Sequence, residues 1–205
     1  MSETPTEHQR ANLSLMLDIL VSNSSSRQLA RELWEFFNHE LYCTIQPATG
    51  EASRFKILPP IDDVATVNSK PRVIMLSIRK SQRIEEALVH ELLHGELIRR
   101  GYPVFFIHDE QDSRAWKYGA MIKNNAEHVV VKPIFLSLGY SEDRFTSPTK
   151  PLNDEEKRII ADLDPMDLST PDKFRKAVDT YMAAHNIRAE PLQLPRSIFR
   201  PLHAN

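Results

Sequence analysis

The sequence predicts an α+β domain, and three observations lead there. Extended signals gather in one window, with short runs at Cys43-Thr44-Ile45, Arg54–Leu58 and Val64–Val67 and a stronger, β-branched run at Val73–Ile78. Apolar residues at spacings of three and four flank that window on both sides, which is the signature of amphipathic helices. Finally, 205 residues with 41% hydrophobic and 26% charged content are enough for one globular domain with a real core. The expected organisation is a flexible leader over 1–10, a single domain over 11–187 and a Pro-rich extended tail over 188–205.

In chain order, Leu13, Met16, Leu17 and Leu20 predict a short helix, which the polar run from Ser22 to Ser26 interrupts. Ser26 is the expected N-cap of a second helix whose stripe is Leu29, Ala30, Leu33, Trp34, Phe37 and Leu41. The extended runs follow, punctuated by prolines and Gly50; Asp62-Asp63 beside Pro59-Pro60 reads as a solvated turn rather than a carboxylate pair. A helix then starts near Ser81, carries Glu85 and Glu86 where the dipole favours acids, and closes at Gly101 and Pro103. Tyr102–Ile107 reads as an apolar connection and His108-Asp109-Glu110 as a loop. From Asp112 or Ser113 a long helix runs through Trp116, Ala120, Met121 and His128 until Pro133 kinks or ends it. Asn153 caps a helix containing Ile159, Ile160 and Leu163, and Thr170-Pro171 opens another with Phe174, Val178, Tyr181 and Met182 on one side.

A formal net charge of -2 gives no overall basic footprint, so neither nucleic acid nor an anionic membrane is indicated as a partner. The single cysteine, Cys43, excludes an intrachain disulfide and a thiolate metal cluster, so any metal must sit on His and carboxylate. Met1–Arg10 lacks the basic-then-apolar order of a signal peptide and no run of eighteen apolar residues follows, from which a cytoplasmic protein is expected. Neither a Gly-rich phosphate loop nor a Gly-x-Ser-x-Gly elbow is present.

The chemistry concentrates in Ala87-Leu88-Val89-His90-Glu91-Leu92-Leu93-His94-Gly95. On a helix, residues four apart lie one turn above each other, so His90 and His94 can direct imidazole nitrogens at one ion. Glu91 is rotated aside, where its carboxylate can reach a water on the metal without joining the ligand set. Every other residue from Ala87 to Leu93 is apolar, so two imidazoles and a carboxylate are set into a largely buried helix. That arrangement costs on the order of several kcal/mol unless something compensates, and a divalent cation, Zn2+ by ligand type, compensates all three groups at once.

A catalytic zinc takes three protein ligands and keeps one position open. The metzincin extension is excluded, because it needs Gly and His where this chain has Leu97 and Arg100. The remaining candidates are His108 on a loop and the adjacent Glu127 and His128 on the next long helix. Adjacent helical residues point about 100° apart, so Glu127 and His128 do not both serve one ion. His128 is the first choice, Glu127 the alternative, and His108 comes after both. Asn124 and Asn125 read as helix-surface residues.

Through His90-Glu91-Leu92-Leu93-His94, the preceding Val73–Ile78 strand and the following helix with Glu127-His128, the chain resembles the zincin-like metallopeptidases, over about 60 residues. The resemblance implies a small sheet packed on an active-site helix, zinc on His90 and His94, and Glu91 as the base of a peptidase. Glu96 stands where zincins carry an apolar residue. A later loop histidine, as His108 would be, is similar to the SprT-like proteases, and an acid on the following helix, as Glu127 would be, to the IrrE-like proteins. The expected function is therefore a zinc metallopeptidase-like hydrolase in which a metal-activated water attacks a peptide carbonyl with Glu91 as general base. The alternatives are a non-catalytic metal-sensing or partner-binding protein, or a DNA-associated SprT-like protease, which the balanced charge disfavours. Tyr102, His108 and Tyr118 are candidates for the transition-state stabiliser, with no choice among them.

Overall fold

The computed structural model describes residues 11–12, 20–37, 41–46, 54–58, 73–79, 83–108, 113–145 and 153–192. Within them the apolar stripes close into helices α1 (Ser24–Phe36), α2 (Ile84–Arg99), α3 (Arg114–Ser137), α4 (Asp154–Leu163) and α5 (Pro171–Ala184). The strands are β1 (Ala11–Asn12), β2 (Leu41–Gln46), β3 (Arg54–Leu58), β4 (Val73–Arg79), β5 (Val104–Ile107) and β6 (Ala189–Leu192). The short helix expected over Leu13–Leu20, apart from Leu20, lies outside the described residues, as do Asp62-Asp63 and the run Val64–Val67.

The expected α+β, zincin-like class, a small sheet packed on the active-site helix, is overturned. Among the described residues α-helix holds more than twice as many positions as strand, so the class is mainly helical. The physical reason is where the apolar bulk sits. Of the largest fully buried side chains, Leu33, Leu88, Leu92, Leu93, Phe135 and Phe174 are helical and Phe37 caps a helix, which leaves Leu41 on a strand. The β-branched run does extend as β4, but its partners β2 and β3 are only six and five residues long.

The contacts divide the chain into two compact units, residues 1–96 with 194–205, and residues 97–193. In the first, β4 pairs in parallel with β2, from Leu41↔Ile74 to Gln46↔Arg79, and antiparallel with β3, from Arg54↔Ser77 to Leu58↔Val73. β1 adds to the other side of β2 at Ala11↔Cys43. The N-cap of α1 is Asn23 rather than Ser26: its side chain accepts from the Ser26 N–H at 3.1 Å, and Ser26 is buried inside the first turn. The Glu85 carboxylate, on the first turn of α2, accepts from Ser22 Oγ at 2.8 Å and from the Asn23 N–H at 3.1 Å. One acid thus lies at the start of two helices, where both dipoles favour it.

In residues 97–193, α2 ends in a left-handed turn at Gly101 (φ 84°): Tyr102 N–H donates to Leu97 O and Gly101 N–H to Ile98 O, both at 2.9 Å, which satisfies the last carbonyls. Tyr102–Ile107 is more than a connection, because Val104–Ile107 pairs antiparallel with Ala189–Leu192, inside the segment expected to be an extended tail. Ser113 caps α3 by accepting from Trp116 N–H at 3.0 Å, and α3 continues for 24 residues through Pro133 to Ser137. Pro133 is exposed, where water can take the carbonyl that loses its donor. Asn153 and Glu156 form a capping box on α4, and Thr170 with Pro171 opens α5 as the sequence predicts. No helix among the described residues is long and apolar enough to cross a membrane.

Gly119 sits in α3 where the helix approaches β5. A Cβ there would come within 3.0 Å of Ile187 Cγ2 and 3.1 Å of Ile107 Cδ1, closer than packed carbons normally stand. Gly119→Ala is therefore expected to forgo the gain of about 1 kcal/mol that alanine normally brings to a helix and to lower the urea midpoint; a raised midpoint would show that the contact is slack. Cys43 gives a second test. Burial pushes its thiol from 9.0 up to about 12, so between those values the unfolded chain ionises it and the folded chain does not. Stability should fall more steeply with rising pH across that range in the wild type than in Cys43→Ala, and parallel curves would contradict this.

Candidate metal centre

α2 is buried on most sides. Leu88, Val89, Leu92 and Leu93 are fully inside, and Glu91 and Glu96 are only 8% and 1% exposed. His90 and His94 are half-buried, so the imidazoles are not fully sunk as the apolar run predicts. Their Nε2 atoms stand 3.4 Å apart and their ring centroids 5.2 Å apart. That separation is long for a hydrogen bond, whose N–H donor–acceptor distance centres on about 2.9–3.0 Å. It suits a shared ion: two nitrogens each about 2.0–2.1 Å from zinc at a tetrahedral angle are about 3.3–3.4 Å apart. Two imidazoles one helical turn apart are a donor pair of the type that binds zinc.

The third-ligand candidates stand in different surroundings. His128, on α3, is half-buried with its ring edge-on to Phe145 at a centroid distance of 5.2 Å, a contact that restrains the imidazole plane. Glu127 is buried and pairs with Lys123 Nζ at 2.8 Å, one turn back on the same helix. His108 is exposed at the end of β5, and its backbone N–H donates to Arg188 O at 2.9 Å. His90 and His94 belong to one compact unit, whereas Glu127, His128 and His108 belong to the other. Asn125 is buried and donates from Nδ2 to Met121 O of its own helix at 3.0 Å, whereas Asn124 is exposed.

The tyrosines considered as transition-state stabilisers have other partners. Tyr102 donates its hydroxyl to Ser169 O at 2.9 Å and Leu168 O at 3.3 Å and sits edge-on to Phe174, so it ties down the segment entering α5. Burial pushes its phenol up from the ordinary value. Tyr118 accepts from Arg158 Nη2 at 3.0 Å and lies edge-on to His185.

Sequence reasoning passes over Phe145, which no motif marks and which reaches His128 only because the chain turns back after α3. Glu96 carried a visible signal, an acid in an apolar run, and its near-complete burial marks it as a group held in place rather than a solvated one. Compared with protein-family models, curated proteins and solved structures, the chain matches none of them.

Proposed function

We propose that the protein is a zinc-dependent, peptidase-like hydrolase of the cytoplasm, with His90, His94 and His128 as metal ligands and Glu91 as general base. The observation that carries this reading is the 3.4 Å separation of the His90 and His94 Nε2 atoms beside the buried Glu91 carboxylate. The ion, when bound, supplies Lewis acidity and lowers the pKa of water to about 7. Glu91 takes the proton of the attacking water and later delivers it to the leaving amine of a peptide or protein substrate. The lone, buried Cys43 thiol is in keeping with a reducing compartment.

Protein purified without added metal should carry about one zinc per chain, and His90→Ala should carry almost none. Loss of occupancy in His128→Ala should exceed that in Glu127→Ala or His108→Ala, as measured by plasma emission after exhaustive dialysis. Equal and negligible zinc in wild type and His90→Ala, with no shift of either melting temperature on adding zinc, would remove the site. A larger loss in Glu127→Ala or His108→Ala would reassign the third ligand.

Glu91→Gln should keep the metal and lose about a hundredfold or more in cleavage rate, because the amide preserves size but cannot accept the proton. The measurement follows cleavage of an unfolded-peptide library by mass spectrometry at matched zinc content. Undiminished cleavage in Glu91→Gln would sink the general-base role; a metal-loaded wild type that cleaves nothing would favour the non-catalytic, metal-sensing reading.

A further inference from the structure

Residues 97–193 hold a cleft of about 460 Å³ that the proposed hydrolase does not use, lined by Arg114, Lys117, Tyr118 and Met121 of α3 and by Glu155 of α4. Its size is within the roughly 300–1,000 Å³ typical of small-molecule sites. The four α3 residues fall at spacings of three, four and seven, so one helix face supplies two cations, an aromatic ring and a thioether. A third cation stands at the same place, since Arg158 Nη2 donates to the Tyr118 hydroxyl at 3.0 Å. The Tyr118 ring is fixed further by its edge-on contact with His185, at a centroid distance of 4.9 Å. Arg114 makes no ion pair or hydrogen bond among the described residues, which leaves its guanidinium fork available to an anion. Glu155 is the carboxylate among the lining residues, and Asp162 acts on Arg158 from the same helix.

We propose that this cleft binds a small organic anion with an aromatic body, its phosphate or carboxylate held by Arg114 and Lys117 and its ring laid along Tyr118 and Met121. Guanidinium forks recognise such oxyanions with paired, charge-assisted hydrogen bonds, and a restrained tyrosine offers a flat face at little cost in ordering. Glu155 acts as a selectivity element, because its charge repels a ligand whose anionic group extends beyond the two cations.

The probe is phenyl phosphate, titrated calorimetrically into the wild-type protein and into single variants whose fold is checked by circular dichroism. Saturable binding at one site is expected. Arg114→Gln and Arg158→Gln should each weaken it by about tenfold, the first by loss of a direct contact and the second by release of Tyr118, while Glu155→Gln should tighten it. Inorganic phosphate should bind more weakly than phenyl phosphate. The proposal is overturned by an absence of saturable binding, by an Arg114→Gln variant that binds like the wild type, or by equal affinity for inorganic phosphate.

Discussion

Two imidazoles one turn apart on a helix that is buried on most sides impose the constraint from which the rest of the structure can be understood. The backbone of α2 has its hydrogen bonds inside the helix, and Leu88, Val89, Leu92 and Leu93 lock it by packing, so the His90–His94 spacing is set by helical geometry rather than by flexible side chains. Both ends of the helix are secured. Glu85 at its start is tied to Ser22 and Asn23, and Gly101 at its end turns the chain so that Leu97 and Ile98 keep donors on their carbonyls. A pair of side chains held this way would lose little further freedom on binding an ion, so the rigidity of the scaffold favours the proposed site.

Partial exposure of the two histidines completes that picture. A structural ion is closed off by four protein ligands, whereas a catalytic one must admit water and substrate. The two imidazoles are half-buried on an otherwise buried stretch of helix, while Glu91, the residue in between, stays mostly covered. The proposed difference in role between ligand and base is matched by a difference in burial as well as in residue type.

Local features were more legible in the sequence than the class of fold: the approach of His90 to His94 follows from the pitch of a helix, and the caps at Ser113, Asn153 and Thr170 can each be read from a few neighbouring residues. Where several residues competed for one role the reading failed: Asn23 through Ser26 are all good N-caps, and the observed one is the first of them. The pairing of β5 with β6 joins segments more than eighty residues apart, and neither alternates clearly enough to announce a strand. The class of fold is harder to read for a different reason: the strand-forming runs stand out by composition, whereas the buried volume lies on helices. The cleft was invisible because α3 and α4 each contribute residues that look like ordinary solvated charges in isolation.

The choice between Glu127 and His128 shows how the surroundings of a side chain decide what its identity leaves open. Both are competent zinc ligands, and they are neighbours on one helix, so spacing alone does not rank them. Recruiting Glu127 to an ion would take its carboxylate from Lys123, whose ammonium has a side chain only 27% exposed, and a partly buried ion pair that loses one member leaves the other poorly solvated. The ring of His128 packs edge-on to Phe145, an aromatic contact compatible with a ligand on a ring nitrogen. The ion pair one turn back along α3 therefore weighs against Glu127 in the proposed metal role.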